Sequence, residues 1–155
     1  MSWLFRILGL EPEGLVMGKN PHWRTSLAND FTLFLDSLEI ISPEGAILYL
    51  ESSNNPNDIR KYLEARKAQM ITKISRGTLF PMPEIFHMEI TKENIKGLIE
   101  LASHHKNAPE HVHIYKDNTI LLQWYDVFDD PIFISKEISE NKVRDFCKKL
   151  GVEYN

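Results

Sequence analysis

The stretch HVHIYKDNTILLQW, residues 111 to 124, constrains this chain more than any other part of it. Two runs rich in β-branched and aromatic residues flank Asp117-Asn118. Short polar side chains there tolerate the left-handed backbone of a two-residue hairpin turn. A hairpin fixes two antiparallel strands and commits the chain to a sheet. If residues 117 and 118 are the whole loop, His111 faces Trp124, His113 faces Leu122 and Tyr115 faces Ile120. Val112 and Ile114 then face Gln123 and Leu121 on the other side. Opposed residues share a face. His111, His113, Tyr115, Ile120, Leu122 and Trp124 are therefore expected to form one surface that mixes apolar and titratable groups.

The elements around the hairpin follow from periodicity and capping. Residues 1 to 24 read as a short apolar helix and a loop, docked on the sheet or on a partner; Pro12, Gly14, Gly18 and Pro21 mark the loop. Leu27, Phe31, Phe34, Leu38 and Ile41 have helical spacing, with Thr25 or Ser26 as the cap. AILYLE is a continuous apolar strand suited to the interior of a sheet. A helix follows Pro56, with Ile59, Leu63 and Met70 on its buried stripe. TLFPMPE is irregular because Pro81 and Pro83 cannot donate to a ladder. EIFHMEI alternates, setting Phe86, Met88 and Ile90 against Ile85, His87 and Glu89.

Thr91 caps a helix with Ile90 and Ile95 at staple spacing, and Gly97 weakens it by about 1 kcal/mol relative to Ala. PIFIS forms a last short strand. Ser139 caps a helix with Val143, Phe146, Cys147 and Leu150 inside and Gly151 at its end. The order predicts an α+β two-layer sandwich. It would have a mixed sheet of about five strands, helices mainly on one face, and parallel pairing in the strand-helix-strand units. Residues 1 to 155 are expected to form one domain.

Composition narrows the function. A net charge of -4 disfavours a surface that grips nucleic acid throughout. The single cysteine, Cys147, points to a reducing cytoplasmic setting. No run approaches the ~18 apolar residues of a membrane span. The terminus MSWLFRILGL is interrupted by Arg6 and lacks a signal-peptide cleavage pattern. It could lie on a membrane through Trp3, Phe5 and Ile7, but a docked helix is the preferred reading.

Three readings of the hairpin face compete. As a protein interface, it would use Trp124 and Tyr115 as anchors for a partner protein or for self-association. As a metal site, it would hold zinc or another transition metal through His87, His111 and His113. Alternatively, residues 1 to 40 fold over the face and bury it. The first is the expectation: a small, non-enzymatic protein-binding module or homo-oligomer. The metal-binding domain or metal-dependent enzyme is the alternative.

Other clusters have simpler explanations. His104 and His105 complement a helix C-terminus. His22 and Trp23 lie on a loop. Asp126, Asp129 and Asp130 form a turn and match no calcium loop. Arg60, Lys61, Arg66, Lys67, Lys73 and Arg76 could track phosphates, although a solvated helix face gives the same pattern. There is no GxSxG elbow, phosphate loop or dinucleotide fingerprint.

Overall fold

The computed structural model describes residues 14–78, 80–106 and 108–155. The expected N-terminal helix lies outside them. The strands are β1 (His22–Arg24), β2 (Ile47–Ser52), β3 (Glu84–Glu89), β4 (His111–Lys116), β5 (Thr119–Trp124) and β6 (Phe133–Ser135). The helices are α1 (Phe31–Ile41), α2 (Asn57–Ala65), α3 (Lys92–Ala102) and α4 (Glu140–Leu150). The fold is α+β, with six strands in the order β1-β6-β5-β4-β2-β3.

Every strand pair is antiparallel, in place of the expected mixed sheet. The reason is an extra pass of the chain. After α2, residues 66–78 return along the opposite sheet face. Thr72 meets the β4 end, where its Oγ1 donates to Asp117 O, and Gly77 and Thr78 reach Glu51 at the far end of β2. The chain therefore enters β3 from the far end and runs antiparallel to β2. In the unit β3-α3-β4 the two strands do point the same way, but β2 lies between them.

Local signals explain most element boundaries. Asp30 caps α1, accepting from Leu33 N–H at 2.9 Å, so the helix starts later than Thr25 or Ser26 would set it and Leu27 stays outside. Thr91 caps α3 through Asn94 N–H at 3.1 Å. Ser139 precedes α4 without a side-chain cap bond, and Gly151 ends that helix at φ 74°. There Val152 N–H reaches Cys147 O and Gly151 N–H reaches Lys148 O, a Schellman ending. Helix α2 stops at Ala65, and Met70 is exposed rather than on a buried stripe. The loop read for residues 11–24 contains β1, an edge strand too short to show periodicity.

The four helices of the described residues all cover one sheet face. Phe34, Leu38, Leu63, Leu98, Val143 and Phe146 pack there against Leu48, Met88, Ile114 and Leu122. The second face carries a smaller cluster of Met17, Ile47, Tyr49, Ile74, Tyr115 and Ile120, closed by residues 66–78 and the chain near Leu15.

The hairpin turn is as expected: Lys116 pairs with Thr119, and Asp117 takes φ 52°. The register is not. Tyr115 pairs with Ile120, but Leu121 bulges out of the ladder, and Ile114 then pairs with Leu122, His113 with Gln123 and Val112 with Trp124. One extra residue exchanges the faces of everything beyond it. His111, His113, Tyr115 and Ile120 remain on the second face. Leu122 and Trp124 move beneath the helices, each 0% exposed. The single expected surface is thus split by the sheet.

Candidate functional site

The second face buries an unusual polar layer. Glu51, 0% exposed, accepts from Tyr49 Oη at 2.8 Å, Gly77 N–H at 3.1 Å and Thr78 N–H at 2.5 Å. Its carboxylate thereby ties the 66–78 segment to the sheet. Asp126 N–H donates to His111 Nδ1 at 3.0 Å, so the ring proton sits on Nε2 and is donated to Thr78 Oγ1 at 2.9 Å. The His111 ring lies so close to Gly77 that a Cβ there would come within 2.5 Å of it. Burial, with Glu51 next in effect, raises the Tyr49 phenol far above its ordinary value, and Tyr125 moves the same way for the same causes.

His113 stacks on Tyr49 with ring centroids 5.3 Å apart and meets Tyr125 edge-on at 4.9 Å. Both of its nitrogens are buried without a hydrogen-bond partner. Burial, then the neighbouring His111, holds its pKa down to about 3. An unfolded histidine binds its proton near pH 6.5. Between these values the unfolded chain carries one more proton than the folded chain at this residue. The corresponding stability is full above pH 6.5 and is lost as pH falls toward 3. His113 alone should remove about 1.4 kcal/mol per pH unit between pH 6.5 and 5. His87, lowered to about 4 by burial and then by Lys67, acts in the same direction. Urea denaturation of His113→Leu across that range should show only the shallower remaining slope. An unchanged slope would mean that His113 is already protonated in the fold.

The three histidines expected to share a metal do not converge. His87 is on β3 and His113 on β4, with β2 between them, so their strands are about 10 Å apart. The Tyr49 ring fills the gap, 5.2 Å from His87 and 5.3 Å from His113. Both nitrogens of His111 are already bonded. Among the described residues no group of three or more His, Cys, Asp or Glu side chains could hold a metal ion.

Other clusters also resolve into structural roles. His105 Nε2 lies 2.9 Å from Asp58, joining α3 to α2. His22 Nδ1 lies 2.8 Å from Asn20 O, and Lys136 caps the buried Trp23 ring. Asp126 O accepts from Asp129 and Asp130 N–H, forming the expected turn. The basic stripe is broken because α2 ends before Lys67. Arg60 pairs with Glu84 at 2.5 Å, and Arg66 lies over Tyr62, 3.7 Å from its ring centroid. No helix of the described residues is long and apolar enough to cross a membrane.

The accessible site lies elsewhere, along the outer edge of β3. A groove of about 480 Å³ opens there between α2 and residues 67–71; Leu63, Ile71, Ile85 and Phe86 form its apolar lining, and Glu64, Lys67, Glu84 and His87 its polar rim. Ala68 N–H bonds His87 O, so the backbone groups of His87 point away from β2. Strand geometry turns those of Ile85, two residues earlier, the same way. No backbone partner meets Ile85 on that side among the described residues. Thr72 N–H donates to Tyr115 Oη at 3.2 Å, which leaves the phenol proton to be directed at His87 Nδ1, 2.8 Å away. The relay leaves an Nε2–H on His87 in the groove wall.

The surroundings are apolar. Of the seven exposed large hydrophobic residues among those described, Met70, Ile71, Phe80, Met82 and Ile85 fall between positions 70 and 85. Ile71 and Ile85 line the groove, and the other three lie on the stretch of chain that leads into this edge. The sequence reading missed the groove, although Pro81 and Pro83 just before β3 are a signal for an edge strand. Comparison with known protein families, curated proteins and solved structures gives no match.

Proposed function

We propose that this chain is a non-enzymatic protein-binding module that receives an extended segment along the open edge of β3. The observation that carries the reading is the outward N–H and C=O of Ile85 beside an apolar groove. An added strand would gain main-chain hydrogen bonds from Ile85 and seat a side chain against Leu63, Ile71 and Phe86. The His/aromatic hairpin face does not serve this purpose, because the chain's own residues cover it. A reducing, cytoplasmic setting belongs to the same reading: Cys147 is a buried free thiol whose pKa burial pushes up to about 11.

The test is a selection of short random peptides on the protein immobilised at low density, followed by titration of the enriched sequences into isotope-labelled protein. Peptides with alternating apolar residues should emerge and shift the Ile85, Phe86 and His87 amides. Ile85→Pro should abolish their binding while leaving the fold intact, because it removes a donor with no backbone partner among the described residues. Failure to enrich any peptide, or shifts that map to another surface, would overturn the reading.

A further inference from the structure

We infer that the segment received by the β3 edge is the same strand of a second copy of this chain, forming a two-fold dimer; this inference rests on the edge-binding reading above. A strand edge is self-complementary about a two-fold axis. With Ile85 opposite Ile85 of the second copy, the two residues exchange both of their outward backbone hydrogen bonds. Each Glu84 carries its own Arg60 to the junction, so the approach brings no bare like charges together.

The pairing is short by construction. Beyond Ile85 the edge is occupied at His87 by Ala68 N–H, so the incoming chain must leave the ladder there. In this register Pro83 of the second copy arrives at His87, and Met82 and Phe80, among the most exposed apolar side chains at 73% and 92%, follow just beyond it. They come over the groove between Leu63, Ile71 and His87. The intervening Pro81 and Pro83 have no N–H to leave unpaired, so this stretch offers mainly carbonyl acceptors. The groove answers with donors, the Nε2–H of His87 and the Lys67 ammonium. Apolar knobs, apolar groove, acceptors and donors thus belong to one chain in complementary positions, as an isologous contact requires.

The decisive experiment is sedimentation of the full chain from low micromolar to millimolar concentration, with Met82→Asp and Ile85→Pro measured beside it. The expected result is a reversible dimer whose dissociation constant rises about 30-fold or more in each variant, the scale of an interface hot spot. Met82→Asp should melt as the parent does, since its side chain is exposed. A peptide from the selection should also dissociate the dimer. A monomer at every concentration that still binds selected peptides at Ile85 overturns the second-copy occupant and leaves the edge reading standing. A monomer that binds no peptide overturns both. A dimer that both variants leave unchanged uses another surface and overturns the inference.

Discussion

Trp124→Ala is expected to cost about 3–5 kcal/mol of stability, the range for emptying a buried aromatic site. The side chain is 0% exposed, with Phe34 4.9 Å away and Phe128 5.8 Å away, ring centroid to ring centroid. Its Nε1–H donates to Asp130 O at 2.9 Å, so the turn after β5 loses a tether as the cavity opens. Native stabilities are only ~5–15 kcal/mol, so the variant should be marginal at room temperature. Urea denaturation measures the loss, and sedimentation below the transition should show the same assembly state as the parent. A variant that keeps its stability but changes its association would place Trp124 in an interface and contradict the bulged register.

Glu51→Leu should be comparably damaging, by a different mechanism. The substitution removes the acceptor for Tyr49 O–H and for two backbone amides at once. A buried donor left unpaired costs ~1–3 kcal/mol, and the two loop amides recover part of that by turning to water. A loss of about 3–5 kcal/mol is expected, with residues 66–78 lifting from the sheet. Amide exchange at Gly77 and Thr78 should accelerate far more than exchange in β4 or β5. A loss under ~1 kcal/mol, with Gly77 and Thr78 still protected, would mean that Ile74 and Met17 hold the segment by apolar contact alone. The two variants probe opposite faces of the sheet, so the pair separates the helix-side core from the polar layer.

Local chemistry was legible along much of the chain. The hairpin turn at Asp117, the Thr91 cap, the Gly151 ending and the buried stripe of α4 each depend on residues close in sequence. So do the apolar run from Ile47 to Leu50 in β2 and the alternation of β3. The doublet Leu121-Leu122 was a readable sign of the bulge as well. Val112 faces Gln123 in the regular register, and looping out one leucine of the doublet gives it Trp124 while Ile114 keeps a leucine partner. The Pro pair before β3 likewise marked an edge.

The candidate site was far less legible, because it joins Leu63 and Lys67 from one pass of the chain to Ile85 and His87 from another. No spacing rule connects them. The same holds for Glu51, whose partners at Gly77 and Thr78 come from a return pass that carries no periodic pattern.

The sequence by itself determined most of the segments that are helix or strand, though not β1 or the end of α2, that they make an α+β fold with its helices mainly on one face, and that no common catalytic motif is present. Those properties follow from capping, periodicity and turn chemistry, which act over a few residues. Only the tertiary structure decided the antiparallel strand order, the face on which Trp124 lies, the separation of His87 from His113 by Tyr49, and the open edge at Ile85. Each of these depends on how distant segments share one sheet. A one-residue bulge or one additional pass across a face reverses the outcome without altering any local preference.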